Sequence, residues 1–247
     1  MAKAKRMKRK KKIKFGIIII RLICICIIVY SGSKIYEWNK YNQDNNKVLS
    51  DVKNTIYTAD NNGNIDINSL KNKNSDCVAY LKIKGIDLEY PVVQTTNNSF
   101  YLKHSFDKTY NTAGWIFADY RNKIDELNKN LVIYGHNRRD GSMFSKLVNT
   151  LSENWYNVAE NRKIELYTEK GKNLYEVFSL YKIETEDYYI QTDFFEGEFE
   201  KFIDVVKKRS IKDFGVGVEK EDNLLTLSTC DNNNNYRIVI HAKKIEN

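Results

Sequence analysis

One cysteine of this chain stands where a predicted strand ends. In residues 223–230 (NLLTLSTC) successive side chains alternate, so that Ser228 and Cys230 share one face while Leu227 and Thr229 share the other. A thiol becomes a good nucleophile near neutral pH when a base or a positive neighbour favours its thiolate. Cys230 is therefore a candidate nucleophile if such partners lie nearby.

An arginine follows Cys230 at a spacing that could supply the positive neighbour. The polar residues 231–235 predict a turn, and residues 236–242 predict a second strand. If the turn consumes the four asparagines, Cys230 faces Arg237, with Cβ atoms about 5 Å apart. A turn one residue longer would put Arg237 on the opposite face, and the pairing would then need a bulge.

A base is expected among only three histidines. His241 shares a face with Arg237 but lies four residues further on, roughly 13 Å along an extended strand, which indicates a structural role. His104 lies in a segment with no clear strand end, and we expect a hydrogen-bonded or surface imidazole there. His136 follows the predicted strand 130–134 and lies in a loop, where catalytic groups concentrate. Its position alone suits a catalytic and a structural histidine equally.

The elements that would position these residues are short strands. Stretches of β-branched and aromatic residues predict strands at 78–83, 88–94, 114–118, 130–134, 163–168, 174–183, 223–229 and 236–242. Helices are predicted at 142–151, 153–161 and 196–209. The last of these would form one apolar face from Phe199, Phe202, Ile203, Val205 and Val206. Eight short strands are typical of a barrel or a sandwich.

The N-terminal segment predicts a membrane anchor. Residues 1–14 carry nine Lys or Arg, and residues 15–30 form an apolar run. Because basic residues stay on the cytoplasmic side, the N-terminus should face inward and the rest of the chain should lie outside the cell. A cleaved signal peptide is the alternative, since small residues follow at 31–33, but no A-x-A pattern precedes them. Residues 31–75 are expected to form a helical stalk or N-terminal helices, with a break at 61–64.

The net charge does not indicate a nucleic-acid-binding protein. The chain has 40 basic and 32 acidic residues, but ten of the basic residues lie in the first 30 positions. The remainder therefore carries about −2, and it lacks the basic face that phosphate binding needs. No nucleic-acid partner is expected.

Cysteine usage leaves one alternative for the candidate nucleophile. Cys24 and Cys26 lie in the apolar run, where they act as small hydrophobic residues. Cys77 and Cys230 remain, and in an exported protein such a pair could form a disulfide. A disulfide would block catalysis by Cys230, so a nucleophilic role requires Cys77 to be a buried or free thiol.

Three segments together resemble the sortases, specifically class B. They are residues 134–144 (YGHNRRDGSMF), residues 226–230 (TLSTC) and Arg237 within YRIVIHA; residues 90–114 look like the same class. The resemblance covers roughly residues 76–243. Each short motif alone would be weak, but their order and the following arginine make the match strong.

The resemblance implies a fold and a reaction. The fold is an eight-stranded closed β-barrel over residues 76–247, with N-terminal helices and a helix between the sixth and seventh strands. Cys230 would attack a threonine carbonyl in a sorting motif near the C-terminus of an exported protein. His136 would move the protons, and Arg237 would stabilise the oxyanion. The acceptor would be an amine of the cell-wall peptide or of its lipid-linked precursor, outside a Gram-positive cell.

The resemblance also implies secondary roles. A groove for the sorting motif, of an Asn-Pro or Ser/Pro-Pro type ending in Thr, would be lined by Asn98, Leu102, Ser228, Tyr189 and Ile190. Asp231 would orient His136 or simply open the turn. Arg138 and Arg139 are expected to be solvated loop charges.

Two other function classes use the same residues. An exported cysteine protease would pass the acyl group to water instead of an amine, and an inactive surface-anchored binding module would leave Cys230 idle or in a disulfide. No cofactor is expected, and three scattered histidines without a carboxylate or cysteine cluster predict no metal site.

Overall fold

Eight strands close into a barrel in the part of the chain that the structure describes. The computed structural model describes residues 2–59, 65–126, 128–230 and 235–245, with side chains at 15–56, 65–126, 128–229 and 235–245. The strands are β1 (Cys77–Ile83), β2 (Leu88–Val93), β3 (Phe117–Ala118), β4 (Asn130–Gly135), β5 (Lys163–Thr168), β6 (Gly171–Glu184), β7 (Leu224–Cys230) and β8 (Tyr236–Ile245). All eight predicted strands are therefore confirmed, with ends shifted by at most three residues.

The barrel mixes parallel and antiparallel pairs. Its strand order is β1-β2-β3-β4-β7-β8-β6-β5, closed by pairing of β5 with β1. The pairs β2–β3 and β4–β7 are parallel, and the others are antiparallel. Closure brings β4 and β7, which are distant in sequence, side by side.

Alternating residues of β7 and β8 fill two apolar clusters. Leu225, Leu227 and Ile240 are fully buried in the barrel interior. Leu224 and Val239, which alternate with them, are buried in a second cluster on the outside of the barrel. Both faces of these strands are therefore covered by apolar side chains, which fixes their register.

A helix between β6 and β7 covers the outer cluster, as expected. The α-helices of the described residues are α1 (Ala2–Ala59), α2 (Ile67–Lys73), α3 (Glu153–Tyr156) and α4 (Glu198–Arg209). Helix α4 has acidic residues in its first turn and basic residues in its last turn, which suits the helix dipole. It buries Phe199, Phe202, Ile203 and Val206, the i, i+3, i+4 and i+7 positions of one face.

Three predictions about helices were wrong in detail. Val205 does not belong to the apolar face of α4: it is 40% exposed, because it lies off the 3.6-residue period of its buried neighbours. The predicted helix 142–151 is a 3-10 helix, Phe144–Leu151, in which Phe144, Leu147 and Thr150 are buried at the three-residue spacing of that helix. The predicted helix 153–161 is only one turn, α3, followed by the 3-10 helix Ala159–Arg162.

The N-terminal part is a unit of its own. The chain divides into Met1–Asp44 and Asn45–Asn247. Among the described residues one helical stretch, Phe15–Ile56, is long and apolar enough to cross a membrane, judged by length and composition. Both the retained anchor and the cleaved signal peptide predicted above have this composition. The predicted break at 61–64 lies outside the described residues.

Two neighbouring valines on α4 test the outer cluster. Val206→Ala should lower the free energy of unfolding by about 2 kcal/mol, because it removes buried methyl groups and leaves a cavity. Val205→Ala should change it by less than about 0.5 kcal/mol, because that side chain is already solvated. Denaturant unfolding of the full chain in detergent micelles, followed by tryptophan fluorescence, measures both. Equal losses for the two variants would contradict the assignment of the buried face.

Candidate active site

Backbone pairing brings the three predicted catalytic positions to one end of the barrel. The parallel register of β4 and β7 pairs Gly135 with Thr229, so His136 and Cys230 each follow a paired residue. The antiparallel register of β7 and β8 pairs Cys230 with Arg237. The register predicted for a turn that consumes the four asparagines is therefore confirmed, and no bulge is needed.

Cys230, the predicted nucleophile, is described by its backbone alone. It is the last residue of β7, and its side chain lies outside the described part of the chain. Asp231, which was expected to orient His136 or open the turn, also lies outside the described residues.

The ring of His136 is held by a backbone carbonyl. Its Nε2 lies 3.0 Å from the carbonyl oxygen of Leu102, and because a carbonyl can only accept, Nε2 carries the proton and donates it. In the neutral imidazole, Nδ1 is then left with a lone pair. A Cβ on Gly114 would stand 2.8 Å from Cδ2 of His136 and 2.9 Å from the Leu102 oxygen. Only glycine leaves room for this packing, and φ of +62° at Gly114 favours glycine as well.

A carboxylate holds the loop after His136 together from inside. Asp140 accepts hydrogen bonds from the backbone N–H and hydroxyl of Ser142 and from the guanidinium of Arg138. The N–H of Phe144 donates to the carbonyl of His136, 3.0 Å away, which closes the loop. Gly135 packs against the ring of Phe144 where a Cβ would stand 2.6 Å from it.

The prediction that Arg138 is a solvated loop charge was wrong. Its side chain is 10% exposed and pairs with Asp140 at 3.0 Å. The neighbouring Arg139 is exposed, as predicted. The two arginines are adjacent in the sequence, and only the folded loop shows which of them pairs with Asp140.

Burial and two positive charges keep His136 neutral. Burial lowers the pKa of His136, and the charges of Arg138 and Arg237 lower it further, while the hydrogen bond to the Leu102 carbonyl raises it. The pKa therefore lies below its ordinary value. At neutral pH the imidazole is a proton acceptor through Nδ1.

A pocket of about 480 Å³ opens beside these positions. Its lining includes His136 and Arg237. It also includes all five residues that the resemblance placed along the groove: Asn98, Leu102, Ser228, Tyr189 and Ile190. A volume of this size suits a short peptide segment.

One wall of the pocket depends on a buried carboxylate that the sequence did not single out. Asp119 is fully buried and accepts hydrogen bonds from Asn98, from the hydroxyl of Tyr134 and, through both oxygens, from Arg121. Arg121 also donates to the carbonyl of Ile190, 2.9 Å away. Burial raises the pKa of Asp119, but these hydrogen bonds outweigh it and hold the pKa below its ordinary value. The Asp-x-Arg spacing directly after a strand was the available signal.

The remaining histidines and the second cysteine agree with their predicted roles. His104 donates from Nδ1 to the carbonyl of Phe100, 2.7 Å away, and stacks on that ring. His241 is fully buried, with hydrogen bonds at both ring nitrogens. Cys77 is a free, buried thiol, and burial raises its pKa to about 12. A disulfide from Cys77 to Cys230 is therefore excluded.

Among the described side chains, no group of three or more His, Cys, Asp or Glu residues could hold a metal ion.

Two neighbouring arginines test the electrostatics of His136. Arg138→Gln should raise the pKa of His136, because it removes one of the charges that lower it. Arg139→Gln should leave that pKa unchanged, because its side chain is solvated. NMR titration of the imidazole in the full chain measures both, with His104→Gln to assign the signals. A rise of equal size in both variants, or in neither, would contradict this assignment.

Comparison with known proteins agrees with the fold and with the sequence motifs. The family model described as the Sortase domain matches residues 81–245. Sortase B of Listeria monocytogenes is 37% identical over 236 residues, which cover 89% of this chain and 92% of the relative.

Solved structures give the same result. The X-ray structure of Clostridium perfringens sortase B superposes with a TM-score of 0.68 at 35% identity, covering 72% of this chain and 99% of that chain. The substrate complex of Staphylococcus aureus sortase B has a TM-score of 0.68 at 32% identity, covering 87% of this chain and 98% of that chain.

These similarities extend over the barrel and over its motifs. Sortases are cysteine transpeptidases that act on proteins bearing a sorting motif, and they are associated with the membrane or the cell wall. A hydrolytic protease and an inactive binding module are therefore not favoured. The chain belongs to the sortase family, and its relatives place it in class B.

Proposed function

We propose that this transpeptidase uses Cys230 as nucleophile, His136 as proton carrier and Arg237 as oxyanion donor. The observation that supports the proposal is the backbone register, which sets these three positions on the adjoining ends of β4, β7 and β8. Three chemically matched groups from distant parts of the chain would then surround one peptide carbonyl.

The first half-reaction forms a thioester. The thiol proton of Cys230 passes to Nδ1 of His136, and the sulfur bonds to the carbonyl carbon of the motif threonine. The carbonyl oxygen takes the negative charge, and the guanidinium of Arg237 donates hydrogen bonds to it. The C–N bond then breaks as Nδ1–H of His136 protonates the departing amine.

The second half-reaction transfers the acyl group. An incoming amine loses a proton to Nδ1 of His136 while its nitrogen bonds to the acyl carbon. The C–S bond breaks, and the proton on Nδ1 returns to the sulfur of Cys230. The Leu102 carbonyl, which accepts from Nε2, would stabilise the imidazolium that exists between these steps.

The pocket provides the binding site for the sorting motif. Leu102 and Ile190 offer apolar contact, while Asn98 and Ser228 offer polar groups whose positions are fixed by other hydrogen bonds. An extended peptide lying there would place its last carbonyl near the ends of β4, β7 and β8. Tyr189 would contribute mainly through its ring, because its hydroxyl is 3.1 Å from that of Ser228.

The acceptor and the topology extend this proposal. The acceptor is an amine of the cell-wall peptide or of its lipid-linked precursor. Residues 1–14 form a cytoplasmic basic segment, 15–30 a retained anchor, 31–75 the stalk with N-terminal helices, and 76–247 the catalytic barrel outside the cell. The basic N-terminal run and the apolar helix support this orientation.

Substitution of the three residues tests the chemistry. The full chain in detergent micelles is incubated with quenched fluorescent peptides that carry Asn-Pro, Ser-Pro or Pro-Pro motifs ending in Thr, with hydroxylamine as the acceptor. Cys230→Ala should abolish cleavage, His136→Ala should lower kcat/KM by about 10²- to 10⁴-fold, and Arg237→Ala by about 10²- to 10³-fold.

Matched controls come from the same residue types elsewhere. Cys77→Ala, His104→Ala and Arg139→Ala should retain activity within about twofold, because none of these three side chains lines the pocket. Cleavage by the Cys230→Ala variant would contradict the proposed reaction. So would a wild type that forms the same amount of cleaved peptide with and without hydroxylamine, the acceptor.

Thiol labelling in intact cells tests the topology. In a Cys230→Ala background, Tyr120→Cys places a thiol at a site that is 51% exposed in the catalytic unit. It should react with a membrane-impermeant maleimide in intact cells. Lys3→Cys should react only after permeabilisation, because the basic segment is retained inside. Labelling of Lys3→Cys in intact cells would contradict the orientation.

A further inference from the structure

One wall of the pocket is a segment with little regular structure of its own. Between the end of β6 at Glu184 and the start of α4, only the single 3-10 turn Tyr188–Ile190 is regular. Tyr189 and Ile190 nevertheless line the pocket. Side chains from the barrel must therefore hold the segment 188–191, named here the pocket wall, in place.

A buried amide holds the pocket wall from behind. Asn130, at the start of β4, is fully buried, and its Nδ2 donates to the carbonyls of Gln191 at 2.8 Å and Tyr189 at 3.3 Å. Its Oδ1 accepts from the hydroxyl of Thr226 on β7, 2.6 Å away. Both ends of the amide are thus engaged, and its orientation is fixed.

The direction of this hydrogen bond determines the next one. A hydroxyl has one proton, and Thr226 gives it to Asn130. Thr226 must therefore accept from Nδ1 of His241, 2.7 Å away, so Nδ1 carries the imidazole proton. His241 is fully buried, and burial lowers its pKa to about 3, so it stays neutral and has one tautomer.

The chain of hydrogen bonds returns to the pocket wall. Nε2 of His241 has the lone pair and accepts from the hydroxyl of Tyr181, 2.8 Å away. The hydroxyl of Tyr188 donates to that of Tyr181 at 3.0 Å. The series of donors therefore begins at Tyr188 and ends on the carbonyls of Tyr189 and Gln191, all within the wall.

These residues are too far from the reacting atoms to take part in the chemistry. Thr226 precedes Cys230 by four residues, and His241 follows Arg237 by four, roughly 13 Å along each strand. Their side chains instead link β7 and β8 to the pocket wall. The first threonine of the TLSTC motif, Thr226, therefore has a different role from Cys230, the cysteine that ends the motif.

We propose that Thr226 and His241 are positioning residues for peptide binding. With Asn130 and Tyr181 they form a chain of hydrogen bonds with a fixed donor direction, named here the relay. The relay holds the pocket wall in the position in which it contacts the sorting motif. Loss of any member leaves a buried donor or acceptor without its partner, and the wall then shifts or loosens. Weaker peptide binding should follow, while the reacting groups at the barrel end keep their geometry.

An isosteric pair of substitutions tests the relay. In the full chain in detergent micelles, with the panel peptide that the wild type cleaves fastest, Thr226→Val should raise KM about tenfold and change kcat by less than about twofold; tenfold corresponds to about 1.4 kcal/mol. Thr226→Ser keeps the hydroxyl and should restore the wild-type KM. Thr150→Val removes another buried threonine hydroxyl, one that donates to the carbonyl of Leu147 and not to any residue of the relay, and should leave KM unchanged.

The outcomes separate this inference from the proposed function, on which it rests. A wild type that cleaves no motif peptide contradicts the proposed function. An active wild type whose KM is unchanged in Thr226→Val, or whose kcat falls while KM stays the same, contradicts the relay alone. If Thr226→Val does not fold, Tyr188→Phe removes the first donor and should raise KM in the same way.

A spectroscopic measurement tests the polarity without activity. The ¹⁵N chemical shifts of His241 should report a proton on Nδ1 and a lone pair on Nε2 in the wild type. A proton on Nε2 would overturn the relay, because Tyr181 could not then donate to that nitrogen.

Discussion

The parallel hydrogen bonding of β4 with β7 determines which residues meet at the end of the barrel. Because two parallel strands end at the same edge, Gly135 lies beside Thr229, and the residues that follow them are brought together. A slip of one residue would transfer every side chain of β7 to the opposite face. Leu225 inside the barrel and Leu224 under α4 both oppose such a slip. Apolar packing on two faces therefore fixes the geometry of the site.

The electrostatics of the site follow from the same arrangement. His136 is partly buried, and the charges of Arg138 and Arg237 act on it together, so its neutral form is favoured. Positive charges of this kind also favour an anion that forms nearby, whether a thiolate or an oxyanion. Asp140 pairs with Arg138 and keeps that guanidinium folded onto the loop. A neutral proton acceptor can thus stand beside a positive group, an arrangement that favours the thiolate form of a neighbouring thiol.

The sequence predicted the elements better than the loops between them. Alternation in β7 predicted that Cys230 faces Arg237 if the turn consumes the four asparagines, and left a turn one residue longer open. The structure has the first of these registers. The same register also pairs Thr226 with His241. Their hydrogen bonds to Asn130 and Tyr181, and those that Asp119 accepts from Asn98 and Tyr134, could not be predicted, because these partners come from other parts of the chain. Arg138 was misjudged for the same reason: its burial depends on how one loop folds back, which no periodic pattern encodes.

Whether the three groups surround one carbonyl can be measured in a covalent adduct. The full chain is treated with a motif peptide that ends in a threonyl chloromethyl ketone, from whose methylene carbon a thiolate displaces chloride, and the crystal structure of the product is determined. We expect the peptide carbon bonded to the sulfur of Cys230, with the ring of His136 and the guanidinium of Arg237 each within about 3.5 Å of the adduct. An adduct on Cys77, or a His136 ring or Arg237 guanidinium that lies beyond hydrogen-bonding reach of the bound peptide, would contradict the proposed site.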